Sequence, residues 1–185
     1  MFKLKPIFKF FKIDGTDALS IYEYDELIKE KIYLFKGCED YELKDIFIQP
    51  FKFELEAIYE GYKIVPIPSY FEDDQKRGFN HVVEIFKCLQ LQMYKCLIKT
   101  ENIKQKELNY DQRQKIGEIL KFDSNFDVKN KKILIVDDVI TTGASMKAAI
   151  KIMKNNGAKK VKVLCIAKRE LDETNTFSDK IKERL

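Results

Sequence analysis

Apolar and polar positions recur with different periods along the chain, and the changes of period sort it into elements. Residues 18–24 favour the extended state through Leu19, Ile21, Tyr22 and Tyr24 and predict a short strand. Asp25 is placed to cap a helix running to Lys36. Leu27, Ile28, Ile32, Leu34 and Phe35 give that helix an apolar face, and Gly37 ends it. A second helix is expected from residue 39 or 40 to 49, halted by Pro50, and a third over 51–59. After Gly61, residues 63–68 read as a buried strand closing on Pro66 and Pro68. A polar loop over 69–78 and an amphipathic helix over 79–91 follow, the helix with Val82, Val83, Phe86 and Leu89 on one face. Residues 94–98 suggest a strand, 99–106 a mobile polar segment and 109–120 a polar helix. The clearest strand is 131–137. Its run Ile133-Leu134-Ile135-Val136 is apolar throughout, as a parallel strand covered on both faces requires. Gly143 precedes a helix over 144–156 that stops at Asn155-Asn156-Gly157, and a further strand covers 161–167. Strand, loop, helix and strand in that order form a βαβ unit.

Composition narrows the class. With 185 residues, the chain is long enough for one domain with a substantial core, or one domain and a small appendage. An apolar content of 45% excludes a disordered chain. The four cysteines, Cys38, Cys88, Cys96 and Cys165, form no C-x-x-C pair and read as reduced, mostly buried thiols. A single histidine excludes a histidine-rich metal site. No stretch approaches the ~20 apolar residues that span a membrane. The first 13 residues interleave Lys3, Lys5, Lys9 and Lys12 with Phe and Ile, without the apolar run of a secretory signal. They predict a strand or helix packed on the core, and a cytoplasmic location is expected.

The net charge of +4 hides an asymmetry. Residues 1–12 carry four Lys and no acid, residues 14–60 carry 13 acids against 5 bases, and residues 61–185 carry 25 bases against 17 acids. From Met146 to Arg169 there are seven Lys, one Arg and no acid. That stretch reads either as a solvated helix face and loop or as a surface for phosphate or nucleic acid.

The chemistry concentrates in Ile133-Leu-Ile-Val-Asp-Asp-Val-Ile-Thr-Thr-Gly-Ala-Ser145. An apolar strand delivers Asp137 and Asp138 to its carboxyl end, which in open α/β sheets faces the ligand crevice. Thr141, Thr142, Gly143, Ala144 and Ser145 then supply hydroxyls and backbone N–H groups at a helix start, a nest suited to phosphate. Two acids beside a phosphate nest repel the phosphate unless they face something else. Sugar hydroxyls can donate to them, and Mg²⁺ can bridge to them through water. The implied ligand is a phosphorylated sugar with free hydroxyls.

This segment resembles the signature by which type I phosphoribosyltransferases bind phosphoribosyl pyrophosphate (PRPP). Three further elements narrow the resemblance to ComF-type competence proteins: Val65-Pro-Ile-Pro68, Arg77-Gly-Phe-Asn80, and the run Gln105, Leu108, Arg113 and Phe122. Together they cover residues 63–169. The resemblance implies an α/β phosphoribosyltransferase-like core over 61–185, a mostly parallel sheet flanked by helices, with an N-terminal helical hood over 1–60. It implies that Asp137 and Asp138 hold the ribose hydroxyls and steady the positive charge developing at the anomeric carbon. Residues 141–145 would hold the 5′-phosphate. Pro68, Ser69 and Arg77 would meet pyrophosphate, with Mg²⁺ carried by PRPP and water, and residues 99–108 would close over the site. Single-stranded DNA would cross Lys151, Lys154, Lys159 and Lys160, with the competence machinery as partner. His81 is expected on the surface or in the core rather than in catalysis. The family's Cys-rich zinc finger is lacking, which suggests a short form; Phe35-Lys-Gly37 and Gly117 depart from the family pattern. Two alternatives stay open: a nucleobase salvage enzyme transferring ribose 5-phosphate, and a non-catalytic PRPP-sensing regulator. The acceptor and the oligomeric state stay open too.

Overall fold

The computed structural model describes residues 4–37, 40–69, 71–99 and 120–169. A five-stranded sheet is its backbone. The strands are β1 (Lys9–Ile13), β2 (Thr16–Glu23), β3 (Tyr62–Pro66), β6 (Lys132–Ile140) and β7 (Lys160–Lys168), in the order β1-β2-β7-β6-β3. Every pairing is parallel except β1 with β2. A two-stranded antiparallel ribbon of β4 (Leu97–Lys99) and β5 (Leu120–Phe122) stands apart.

The sequence expectation of a helical hood over 1–60 is corrected at its start: β1 and β2 belong to the main sheet, and only the segment after them is helical. Asp14-Gly15 explains the hairpin. Both residues have positive φ, 46° and 74°, between the paired residues Ile13 and Thr16. A two-residue turn of that hand matches strand twist, and it favours Asp-Gly because other residues resist that backbone region. The strand expected at 18–24 is β2, and that expected at 161–167 is β7.

Helices cover both faces. On one side lie α1 (Glu26–Lys36), α2 (Lys44–Phe47), α3 (Lys52–Ile58) and α5 (His81–Phe86). Ile28, Ile32 and Phe35 of α1, Phe47, Leu55 and Phe86 pack with Leu19, Ile21, Leu134, Val136, Leu164 and Ile166 from the strands. Asp25 caps α1 as expected, accepting from the Ile28 N–H. The buried Tyr22 hydroxyl ties the strand to this layer by donating to the Phe47 carbonyl at 3.2 Å. On the opposite side α6 (Ala144–Asn155) lays Met146, Ala149, Ile150 and Met153 on Val65, Ile133, Ile135, Val163 and Cys165. Alternate residues of β6 thus serve opposite layers, which is why the strand reads as continuously apolar.

Local pattern misled in four places. The expected helix over 39–49 is broken into a 3₁₀ turn, Tyr41–Leu43, and the single turn α2. The polar loop expected over 69–78 contains α4 (Phe71–Arg77). The helix expected over 79–91 ends at Phe86, because tertiary bonds pull the chain out of it. The Gln90 N–H donates to Glu56, and residues 92–94 run beside β3, with Ile64 N–H to the Gln92 carbonyl and Tyr94 N–H to the Ile64 carbonyl. The strand expected over 94–98 is the shorter, shifted β4. Of the mobile segment expected over 99–106 and the polar helix over 109–120, Lys99 ends β4 and Leu120 opens β5, and the rest lies outside the described residues, as do Gln105, Leu108, Arg113, Gly117 and Cys38. Of the described thiols, Cys96 and Cys165 are buried and Cys88 is half-buried; all three are free, and burial pushes Cys165 up to about 12.

Candidate functional site

The crevice exists because adjacent strands differ in length. β3 ends at Pro66, paired with Val136, whereas β6 continues through Asp137 and Asp138 to Ile140. The last bond on that side runs from the Ile67 N–H to the Val136 carbonyl, and the chain then turns away at Pro68. The two acids are therefore not at the strand's end, as expected from sequence, but within it, at the point where β3 no longer flanks it. A cleft of about 670 Å³ opens there. Its walls include Asp137, Asp138, residues 141–145, Pro68, Ser69 and Arg77, so the structure gathers those sequence-predicted residues in one place.

Successive strand residues point to opposite faces, and the two acids accordingly have different surroundings. Asp138 follows Leu134 and Val136 onto the hood side and is buried, with 4% of its surface exposed. Its Oδ2 meets the Lys36 ammonium, from the last turn of α1, and the His81 Nε2 at 3.2 Å, from the first turn of α5. Its Oδ1 accepts from the Val139 N–H at 2.6 Å. Burial alone would raise the Asp138 carboxyl, but the Lys36 charge and the His81 hydrogen bond outweigh it and hold the group well below the usual carboxylate range. Asp137 has no such cation in contact among the described residues. Burial first, and the Asp138 charge second, raise its carboxyl well above the ordinary value. His81 is itself buried. Desolvation lowers its imidazole against the pull of Asp138; Nε2 lies 3.2 Å from Asp138 Oδ2, and Nδ1 has no partner among the described residues.

Lys36 and His81 are site residues that the sequence reading missed. His81 was assigned to surface or core; it is in the core, but in contact with Asp138. The signal for Lys36 was its place immediately before the helix-ending Gly37, at the mouth that α1 shares with β6. Lys29 and Tyr33 of α1 line the same cleft, and Tyr33 stays 70% exposed there. The acidic hood segment thus turns lysines toward the site.

Residues 141–145 carry the chain from β6 into α6. Gly143 takes φ 75°, a left-handed conformation that side-chain-bearing residues resist, and hands the chain to α6. Thr142 Oγ1 accepts weakly from the Ala144 N–H at 3.4 Å, and Thr141 and Thr142 remain exposed. Among the described residues nothing acidic stands in the first turn of α6, so the positive end of its dipole faces the cleft unopposed.

Residues 69–80 are knotted around Asp74, which sequence reasoning did not single out. Asp74 accepts from Ser69 Oγ at 2.7 Å, from Arg77 at 3.0 Å and from Asn80 Nδ2 at 2.8 Å. Asn80 also donates to Ser69 Oγ at 2.6 Å and caps α5 by accepting from the Val83 N–H. Arg77 lines the cleft with its guanidinium held by Asp74, its side chain 13% exposed.

The lysines named for nucleic acid fall elsewhere. Lys151 and Lys154 are exposed on the outer face of α6, and Lys159 and Lys160 precede or open β7. Lys160 pairs with Lys132 on the first rung of the β6–β7 ladder, whereas Asp137 pairs with Cys165. Five residues of strand at ~3.3 Å each separate the two levels. Those lysines are not part of the cleft.

Among the described residues no group of three or more His, Cys, Asp or Glu side chains could hold a metal ion. None of the described helices is long and apolar enough to cross a membrane.

The phosphoribosyl transferase domain family matches residues 95–181. The competence protein ComFC of Bacillus subtilis (strain 168) is 30% identical over 145 residues, 75% of this chain and 58% of that protein. ComFC of Streptococcus pneumoniae (strain ATCC BAA-255 / R6) is 29% identical over 155 residues, 83% of this chain and 69% of that protein. The chain thus spans under two thirds of the length of the Bacillus relative. A hypoxanthine-guanine phosphoribosyltransferase from Bacillus anthracis superposes with a TM-score of 0.47 at 13% identity, over 71% of this chain and 72% of that one.

Proposed function

The chain is a ComF-type phosphoribosyltransferase-like protein, and from that premise we propose that its cleft binds PRPP or a related phosphosugar with Mg²⁺, in a cytoplasmic protein that handles single-stranded DNA during competence. One observation carries the reading: a single cleft joins the acids of β6 to the 141–145 loop at the start of α6. A phosphate on the loop meets backbone N–H groups, the hydroxyls of Thr141, Thr142 and Ser145, and the positive end of α6. From there a ribose ring reaches back toward β6, where Asp137 accepts from its hydroxyls.

The two acids divide the work. Asp138 is already engaged by Lys36 and His81 and serves to hold the hood against the sheet. Asp137 is the carboxyl left for ligand, because it lines the cleft with no ion pair to a described residue. That donor set fits a magnesium ion carried on the ligand's own oxygens with water, since one carboxylate alone is no metal cage. When bound, Mg²⁺ would neutralise the pyrophosphate leaving group. Lys29, Lys36 and Arg77 line the cleft and supply cationic charge for pyrophosphate, Arg77 after leaving Asp74.

Calorimetric titration with PRPP and Mg²⁺ tests the reading. Binding by the wild type, weakened at least about tenfold by Asp137→Asn with the fold intact, is the expected result; one lost charge-assisted hydrogen bond is worth that much. Equal binding by the variant refutes the assignment. Pyrophosphate release with each common nucleobase then separates a transferase from a binding protein.

A further inference from the structure

A second depression of about 460 Å³ adjoins the first and shares Ile140–Gly143 as a wall. Its other sides are the β1–β2 hairpin, Lys147 of α6, and Lys168 and Arg169 at the end of β7. Four cations, Lys12, Lys147, Lys168 and Arg169, face it with one carboxylate, Asp14. The hairpin reaches α6 through an Asp14–Lys147 contact of 3.7 Å, with both side chains more than half exposed. Lys12 contacts Asp17 at 3.7 Å and stays 71% exposed. Lys168 lies over the Phe11 ring at 4.7 Å, and Arg169 is anchored by its N–H on the Ile140 carbonyl. These long, exposed contacts leave the depression positive.

The shared wall gives the depression a chemical meaning. A phosphate on the 141–145 loop has the sugar cleft on one side and this basic ledge on the other. A 5′-monoester would use the cleft alone. A phosphate carrying a second ester would send its other substituent onto the ledge. On the ledge itself β1 presents the Phe11 ring beneath Lys168, an aromatic and basic pairing of the kind that single-stranded nucleic acid stacks on.

We propose that the ledge is a second phosphate subsite, occupied by the next phosphodiester of a single strand whose 3′-terminal nucleotide places its sugar in the cleft. The proposal rests on the phosphosugar reading of the cleft. It also moves the nucleic-acid contact from Lys151, Lys154, Lys159 and Lys160 to Lys12, Lys147, Lys168 and Arg169.

Fluorescence anisotropy on the full chain tests it, with a 5′-labelled ten-nucleotide thymidylate strand. The strand with a free 3′-hydroxyl should bind about tenfold tighter than the same strand with a 3′-phosphate, which removes the hydroxyl that Asp137 is placed to meet. Lys12→Gln with Lys168→Gln should weaken binding of the free-ended strand about tenfold and lower its salt slope by ~1.4, the value for two lost phosphate contacts on a single strand. Lys159→Gln with Lys160→Gln should leave it unchanged. Equal binding of free and blocked ends, or unchanged binding by the ledge variant, overturns the proposal. So does thymidine 5′-diphosphate binding as tightly as the strand, since the second phosphate would then be that of a small molecule. Calorimetry with PRPP runs in parallel. PRPP affinity unchanged in the ledge variant is expected, and failure of the wild type to bind PRPP refutes the phosphosugar reading separately.

Discussion

Replacing Lys36 by Met removes the ammonium that holds Asp138 ionised while keeping the aliphatic stem that packs beside α1. Asp138 is 6% exposed at its side chain and Lys36 35%. Breaking a fully buried ion pair by deleting one partner costs ~3–5 kcal/mol, because the other charge stays buried and uncompensated. Here water reaches a third of the Lys36 side chain, and His81 still lies 3.2 Å from the same oxygen, so a loss of about 1–3 kcal/mol is expected at pH 7. Urea denaturation read by circular dichroism measures it, and Lys36→Arg should recover most of it. The loss should depend on pH with a definite sign. The Asp138 carboxyl is depressed in the folded chain, so its stabilisation is present above the unfolded carboxyl value of ~3.9 and disappears as pH falls through the folded one. The gap between wild type and variant should therefore narrow below pH ~4. Asp137 contributes with the opposite sign: raised on folding, it stabilises at acid pH and ceases to as pH rises through its folded value. A variant as stable as wild type at pH 7, or a gap that does not narrow as pH falls well below ~4, would show that Lys36 is not what holds Asp138.

Other consequences are equally direct. His81, lowered by burial, should titrate below ~6.5 by NMR, with its contribution to stability lost as pH falls through that midpoint; a midpoint above 6.5 contradicts its burial as the dominant influence. Asn80→Ala removes the α5 cap and two donors to Ser69 and Asp74, and should lower stability by about 1–2 kcal/mol in the same denaturation assay. Gly143→Ala forces a side chain into left-handed backbone and should cost about 1–2 kcal/mol while weakening PRPP measurably in calorimetry. Its nearest new neighbour would be Ile140 Cγ2 at 3.8 Å, so any loss comes from the backbone and not from a clash.

What could be read from the sequence was local. The strand 133–136, the nest at 141–145 and the helix after Gly143 lie within one continuous segment whose polarity and glycine placement specify it. Their convergence with Pro68, Ser69 and Arg77 followed from the β3–β6 pairing that parallel topology predicts. What escaped were contacts between distant segments. Lys36 and His81 reach Asp138 from two helices far earlier in the chain; the position of Lys36 before Gly37 places it at a helix end, but nothing in the sequence names its partner. Asp74 looked like one acid in a polar loop, yet it receives three donors. The strand expected at 18–24 is β2, but its place in the main sheet depends on pairing with β7 at the far end of the chain, which its local pattern does not carry. The four lysines chosen for nucleic acid were chosen by charge along the chain. The parallel ladder carries two of them to the opposite end of β6 from the acids, while the hairpin and the end of β7 bring others, separated in sequence, to the depression beside the cleft.

The central claim, that the cleft is a phosphosugar site divided between a loop for phosphate and Asp137 for sugar, is tested most directly by a crystal structure of the chain soaked with PRPP and Mg²⁺. The account predicts the 5′-phosphate on the backbone N–H groups of residues 141–145 and a ribose hydroxyl within hydrogen-bonding distance of Asp137, with Lys36 and His81 still on Asp138. A phosphate seated elsewhere, or a cleft left empty at saturating PRPP, would contradict it.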